Sequence, residues 1–325
     1  MKPILEIKSA FLIKRFNSKL DSIIGSDLPI LNEIKNFVIE SGGKRIRPLI
    51  HCYYARILGY EGEEWIDVGA LGELIHAASL LHDDVVDSAE MRRGKPAVNR
   101  LYGNKSAVLA GDFLLSCCLD HLSRTSCSGE LLKVFTRVLR MLSEGELLQM
   151  EWENNLDIPE SVYERIILSK TAVLFGAMTE SAAILVGRNK EEREIHRRFG
   201  ERLGRIFQIR DDYLDYFGDG KRTSKEGFQD FRRGIVTRPV IVLRSSLNSR
   251  EDEHLVRTWE SEEIRISEEG LGIWMELAEK AELDQKLVLE IDAEIQSLRD
   301  YLKQFPDSEY SRKISNRLNE LAVAL

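Results

Sequence analysis

Two aspartate clusters with one shared spacing are the first residues in this chain that could do chemistry. Leu80-Leu81-His82-Asp83-Asp84-Val85-Val86-Asp87 and Gln208-Ile209-Arg210-Asp211-Asp212-Tyr213-Leu214-Asp215 both read DDxxD. On a helix, residues four apart project from one face, about 6 Å apart along the axis. Carboxylates at that spacing repel, so the arrangement weakens a bare helix and invites a cation. Donors that are all oxygen, without His or Cys companions, suit a hard ion such as Mg²⁺, which keeps several waters and bridges carboxylates to phosphates. A single DDxxD reads as readily as a solvated acidic turn. Two copies, both inside strongly apolar helical stretches, do not.

Basic residues supply what a diphosphate would need. Ser41-Gly42-Gly43-Lys44-Arg45-Ile46-Arg47-Pro48 is a glycine turn entering a helix, with Lys44 and Arg47 three apart on one side. Backbone N–H groups at such a start, together with two cations, suit a phosphate. Arg92 and Arg93 follow the first cluster closely, and Lys170 and Lys225 stand apart in sequence. Each of these alone is ordinarily a surface charge; their meaning comes from combination with the aspartates. His76 lies two helical turns before Asp83 on the same face and can point into the same cleft, the plainer alternative being a satisfied core histidine. The His82–Asp83 pair, with His51 or His76, also fits an HD-type phosphohydrolase, but that reading leaves the second cluster and the basic residues idle.

The elements that must hold these groups are helices. The seven prolines, Pro3, Pro29, Pro48, Pro96, Pro159, Pro239 and Pro306, fall at segment starts or in links, and the stretches between them are free of proline. Asp157-Ile158-Pro159-Glu160 and Pro306-Asp307-Ser308-Glu309 read as helix starts. Apolar residues recur three and four apart at Leu71, Leu74, Ile75, Ala78 and Leu81, and again at Leu131, Phe135, Val138 and Leu142. Strand-like alternation is never sustained. About ten or more helices, with no linker and no internal repeat, predict an all-α fold in one domain spanning residues 1–325. The acidic stretch Glu260–Glu269 reads as a solvated loop or helix face.

Composition narrows the function classes. With 43% hydrophobic and 31% charged residues among 325, the chain can bury a sizeable core and stay soluble, and a net charge of -8 argues against a nucleic-acid partner. Leu168–Val186 is interrupted by Lys170 and Glu180, so no transmembrane segment is expected, and the N-terminus is amphipathic rather than signal-like. Cys52, Cys117, Cys118 and Cys127 form no CxxC pair, which suits free thiols in a reducing cytoplasm.

Taken together, the blocks GGKRIRP (42–48), ELIHAASLLHDDVVDSAEMRRGKPAVN (73–99), LAGDFLL (109–115), EGELLQ (144–149), SKTAVLF (169–175), FQIRDDYLDYFGD (207–219) and SKEGFQDFRRGIVTRP (224–239) resemble the trans-isoprenyl diphosphate synthase family over nearly the whole chain. The resemblance implies a helical bundle of the isoprenoid synthase type around a central cavity. It also implies condensation of isopentenyl diphosphate head-to-tail onto an allylic diphosphate. Asp83, Asp87 and Asp211 then bind Mg²⁺, three ions per site with substrate bound, with Asp84, Asp212 and Asp215 as outer or helper ligands. Arg92, Lys170 and Lys225 contact the allylic diphosphate. Lys44, Arg47, His76 and Arg93 hold that of isopentenyl diphosphate. Thr171 and Gln208 line the reacting carbons. Family members are homodimers, and the apolar segment around Leu109–Leu122 is the expected interface.

Ser224 and Phe228 replace the two glycines of the family's GKxxGxD, Gly227 lies one place early, and Arg210 and Arg238 stand where apolar residues are usual. A non-catalytic subunit would have lost aspartates from one cluster, a terpene cyclase would lack the GGKxxRP and RR sites, and a purely structural bundle would have no use for six buried-segment aspartates. A short-chain farnesyl or geranylgeranyl synthase, or the catalytic subunit of a heteromeric enzyme, remains an alternative within the family. Ser79 and Ala78, four and five residues before Asp83, are small, so the growing tail is not blocked there. Glu146 and Gln149 in EGELLQ resemble the long-chain branch, with Phe135 the candidate floor. These features point to a product longer than geranylgeranyl diphosphate, with octaprenyl the single best expectation.

Overall fold

The computed structural model describes residues 4–40, 43, 45–218 and 227–323, with side chains described from residue 10 onward. In chain order the helices are α1 (Ile4–Ile23), α2 (Pro29–Glu40), α3 (Ile46–Ile57), α4 (Trp65–Val86), α5 (Val98–Tyr102), α6 (Asn104–Ser123), α7 (Ser128–Trp152), α8 (Glu160–Ile167), α9 (Val173–Leu185) and α10 (Lys190–Phe217). A π-helical turn, Leu168–Ala172, joins α8 to α9. There follow α11 (Gln229–Arg233), α12 (Arg238–Ser246), α13 (Ser249–Glu260), α14 (Glu262–Arg265), α15 (Glu268–Lys280), α16 (Leu283–Leu302) and α17 (Glu309–Asn319).

Local chemistry explains where these helices begin. Pro29 opens α2, Pro239 sits in the first turn of α12, and Pro159 immediately precedes α8, places where a missing N–H costs nothing. Asn248 and Glu251 form a reciprocal capping box at the start of α13. The acidic stretch near residue 260 resolves into α14 and the first turn of α15, capped by Ser261 and Ser267. One element departs from the all-helical expectation. Met91–Arg92 (β1) and Lys95–Pro96 (β2) pair antiparallel, because Arg93 and Gly94 both take positive φ (52° and 76°). Two such residues give the turn whose twist matches a two-stranded hairpin.

The described residues fall into two compact units: one from within Met1–Arg140, Leu174–Gly200 and Phe305–Ile314, the other from within Met141–Val173, Glu201–Gln304 and Ser315–Leu325. In the first, α4 is the central helix, buried at Leu71, Leu74, Ile75, Ala78 and Leu81 as its periodicity predicts. Helices α1, α3 and α6 pack on it. The small residues Ala107, Ala110 and Gly111 face inward on α6, and a Cβ at Gly111 would collide with the His82 ring, so glycine there permits the close approach. In the second unit, Tyr216 stacks on Trp274 with centroids 4.6 Å apart, and Phe228 meets Trp274 edge-on at 5.3 Å. That contact accounts for a phenylalanine tolerated at positive φ (63°), where the resemblance leads one to expect glycine.

Two helical stretches, Asn104–Ser123 and Glu160–Leu185, are long and apolar enough to cross a membrane by length and composition, and 83% of the second's apolar window is buried inside the protein. The four cysteines are free. Burial pushes the thiols of Cys52 and Cys118 up to about 12.

Candidate active site

In the first unit, α4 ends at the first aspartate cluster. Asp87 is its C-cap, with its N–H donated to Asp83 O at 2.8 Å. Two carboxylates therefore stand one turn apart at the negative end of a helix dipole, a position that favours a cation. Asp83 is half-buried and Asp87 exposed. Asp84 points elsewhere: it is buried, and Arg92 grips its Oδ1 through Nε and Nη2, both at 2.6 Å.

The basic residues of this unit gather around His76. A small cavity of about 50 Å³ is lined by Arg45, Glu73, His76, Asp84, Arg92 and Arg93, among others. Burial first, then the nearby Arg47, Arg93, Arg92 and Arg45, hold the His76 imidazole well below its usual range, so it is neutral. The Arg93 guanidinium lies against Gly43, with Cζ 3.1 Å from where a Cβ would stand, so the glycine of the basic loop makes room for it. Arg47 lies over the Phe175 ring at 4.9 Å, and its Nε is buried without a hydrogen-bond partner. Burial lowers its pKa, opposed by Glu73 and assisted by Arg93. A cluster of guanidiniums with one buried N–H unmatched is a ready seat for a polyanion.

Arg45, not singled out from sequence, has the most fixed position in this group. It donates to Glu73 Oε1 (2.7 Å), Asn17 Oδ1 (3.2 Å) and Ile39 O (3.0 Å), tying the loop to α4, α1 and the end of α2. A charged Glu73 on the apolar face of α4, three residues before His76, was the signal available for it. Lys44 and Lys225, with Ser224, lie outside the described residues.

In the second unit, Lys170 and Thr171 sit in the π turn, a wide winding that commonly marks functional positions. Lys170 Nζ meets Glu146 Oε1 at 2.7 Å and Gln149 Oε1 at 2.9 Å. Thr171 Oγ1 donates to Gln208 Oε1 (2.6 Å), and Gln208 Nε2 donates to Asp212 Oδ1 (2.8 Å). Asp212 is buried and accepts further bonds at Oδ2 from Tyr163 Oη (2.8 Å) and the Arg238 backbone N–H (3.3 Å). Burial raises its carboxyl to about 6 against the pull of these donors. Asp211 beside it is exposed. Asp215 accepts from the backbone N–H of Gln229 (3.1 Å) and Asp230 (2.9 Å), capping α11.

Two residues that depart from the family pattern have partners or a distinct setting. Arg238 bonds Glu160 and, through Nε, Glu290 Oε2 at 2.9 Å, so the guanidinium is matched by carboxylates from α8 and α16. Arg210 is half-buried, and desolvation lowers its pKa.

These carboxylates fit a hard cation in a particular way. Among the described residues no three His, Cys, Asp or Glu side chains form a group able to hold a metal by themselves. Asp84, Asp212 and Asp215, expected as outer or helper ligands, each accept hydrogen bonds from protein donors. What is offered is a few oxygen donors per cluster, which suits an ion that draws most of its coordination from water and phosphate oxygens.

Of the expected chain-length residues, Ala78 is wholly buried in packing and Phe135 likewise. Ser79, on the Asp83 face of α4, keeps some exposure and donates to His76 O at 3.0 Å.

Comparison with known proteins agrees with this geometry. The polyprenyl synthetase family model matches residues 28–268. Octaprenyl diphosphate synthase of Escherichia coli (strain K12) is 40% identical over 225 residues, 69% of each chain. The crystal structure of a decaprenyl diphosphate synthase from Rhodobacter capsulatus superposes with a TM-score of 0.88 at 32% identity, covering 96% of both chains. A polyprenyl synthase from Caulobacter crescentus CB15, solved with calcium and isoprenyl diphosphate, superposes at 0.84 with 29% identity over 98% of this chain and 94% of that one. With that match over most of its length, and with the aspartate and arginine clusters in place, the chain belongs to the polyprenyl synthetase family and is a trans-prenyltransferase.

Proposed function

We propose that the enzyme condenses isopentenyl diphosphate with an allylic diphosphate and releases a long polyprenyl diphosphate, octaprenyl being the expected length. The observation that carries this reading is the guanidinium cluster of Arg45, Arg92 and Arg93 around a neutral, half-buried His76, on the helix that also carries Asp83. Such a set of cations suits a diphosphate. The octaprenyl name of a 40% identical relative supports the length.

In this reading Asp83, Asp87 and Asp211 are the carboxylates that would hold Mg²⁺, which would supply positive charge to the leaving diphosphate. Arg92, Lys170 and Lys225 hold the allylic diphosphate; Arg47, His76, Arg93 and Lys44 hold that of isopentenyl diphosphate. The allylic C–O bond breaks with its electron pair leaving on the diphosphate. The alkene of isopentenyl diphosphate then bonds to the allylic carbon, and the adduct gives up a proton to the departed diphosphate. Thr171 and Gln208 turn oxygen towards the developing positive charge, where fixed dipoles act without reorganisation.

The reading extends to assembly and place. Exposed Val108 and Leu109 on α6 support a homodimer through that helix. Four free cysteines suit a reducing cytoplasm. Unit boundaries that fall inside α7 and α10 support a chain that works as one domain. The test is product analysis by mass spectrometry after incubation with farnesyl diphosphate, excess isopentenyl diphosphate and Mg²⁺. Release of unextended farnesyl diphosphate alone would reject the reaction.

A further inference from the structure

We propose that Asp212 acts as a positioning residue that sets the polarity of the Thr171–Gln208 pair, so that oxygen lone pairs rather than a proton face the reacting carbons. The inference rests on the prenyl-transfer reading above and deepens it.

The argument follows the donors and acceptors along one chain of hydrogen bonds. An ionised carboxylate only accepts, so Gln208 must present its Nε2 to Asp212 Oδ1, as the 2.8 Å contact shows. The amide is then fixed with Oε1 towards Thr171. Amide oxygen also only accepts, so the Thr171 hydroxyl spends its proton on it, at 2.6 Å. Both free lone pairs of Thr171 are left facing away from that bond. A buried side chain, shut off from water on one side, therefore decides the sign of a dipole two residues along the chain.

The other end of the chain makes the arrangement testable. Asp212 Oδ2 accepts from the Arg238 backbone N–H at 3.3 Å, a group that can only donate, and from the Tyr163 hydroxyl at 2.8 Å. The Arg238 side chain is itself anchored by Glu160 and Glu290, which holds that N–H in place. In the nearly isosteric Asp212→Asn variant the new carbonyl must face this donor, so the new NH₂ must face Gln208. Gln208 then flips to accept, its NH₂ turns to Thr171, and the Thr171 proton is expelled towards the site where positive charge develops.

Single-turnover rates of C–C bond formation, both Michaelis constants, and calorimetric affinity for a non-ionising thio-bridged allylic diphosphate test the proposal. For Asp212→Asn the bond-forming rate should fall roughly 10- to 100-fold, while Michaelis constants and analogue affinity stay within about threefold. Tyr163→Phe, which leaves Asp212 an acceptor, should cost less than about fivefold. The double variant Gln208→Glu/Asp212→Asn keeps shape and total charge and places an acceptor-only carboxylate next to Thr171. It should return the rate to within about tenfold of wild type, and it decides the matter alone if the single variant does not fold. An Asp212→Asn enzyme with the wild-type rate, or a double variant no faster than the single one, overturns the proposal. An inactive wild-type enzyme would instead overturn the prenyl-transfer reading, and this inference with it.

Discussion

Lys170 Nζ is held 2.7 Å from Glu146 Oε1, so the amine proposed to hold the allylic diphosphate already has an anionic partner. Arg47, in contrast, lies over the Phe175 ring with its Nε unmatched. The two cations should therefore answer to different substrates. Lys170→Ala is expected to raise the Michaelis constant for the allylic diphosphate about tenfold or more, and Arg47→Ala that for isopentenyl diphosphate by a similar factor, each leaving the other constant within about threefold. Steady-state kinetics with each substrate varied in turn makes the measurement. Equal effects on both constants from both variants would remove the case for separate subsites.

Removal of divalent metal by EDTA should stop turnover, and added Mg²⁺ should restore it. Asp83→Ala and Asp87→Ala are each expected to lower kcat by about 100-fold or more, while the double variant loses little beyond the worse single one. Asp211→Ala should behave like either single change. Circular dichroism should show an unchanged fold, because Asp87 and Asp211 are exposed and Asp83 half-buried. Near wild-type turnover by Asp83→Ala would show the assignment to be mistaken.

The Arg45–Glu73 pair is almost wholly buried, with side chains 3% and 8% exposed. Removing one partner strands the other charge, so Arg45→Ala or Glu73→Ala should cost about 3–5 kcal/mol, whereas replacing both by apolar residues of similar volume should recover much of it. Urea denaturation of the three variants gives the answer. A single variant as stable as wild type would show the pair to be incidental.

Acid should weaken the fold through a buried histidine. His51 is fully buried with Nδ1 2.7 Å from Met178 O, and burial lowers its pKa to about 4 from an ordinary 6.5. A histidine depressed in the folded state binds its proton more readily when unfolded. Its contribution is therefore whole above pH 6.5 and is lost as the pH falls through about 4. The loss amounts to roughly 3 kcal/mol from this one group, and His76, shifted the same way, adds to it. Urea midpoints between pH 7 and 4 should fall, less steeply in His51→Gln. Identical slopes in the two proteins would exclude His51 as the cause.

Product length is the fifth expectation. Ser79 keeps exposure on the Asp83 face of α4, so Ser79→Phe should shorten the product by several isoprene units. Ala78 is packed without exposure, so Ala78→Phe should shorten it too but destabilise the protein by about 1–3 kcal/mol through overpacking. Phe135→Ala should lengthen it. A wild-type enzyme that stops at farnesyl diphosphate would defeat the length argument and leave the reaction class standing.

Which of these features were legible in the sequence depends on how local they are. The DDxxD spacing and the prolines at 29, 159 and 239 are set within a few residues, and each lies in or at the start of the helix its pattern implied. The Arg45–Glu73 pair spans 28 residues, and the two ion pairs of Arg238 span 78 and 52. No periodicity records such partners. The same limit hid the protein donors that occupy Asp84, Asp212 and Asp215, the three aspartates that the resemblance sets apart as outer or helper ligands. The hairpin at residues 91–96 escaped notice because its strands are two residues each, too short to show alternation.

The π turn at Leu168–Ala172 makes the enzyme sensitive to length rather than only to composition. A helix wound normally turns about 100° per residue, so deleting a single residue there, or inserting one, would rotate everything on one side of the turn relative to the other. Lys170 would then lose Glu146 or Thr171 would lose Gln208, whichever side moved. Every side chain could be retained and the site would still be dismantled. Loop grafts and chimeras of this enzyme should therefore keep their junctions clear of residues 160–185, where the count of residues is itself part of the site.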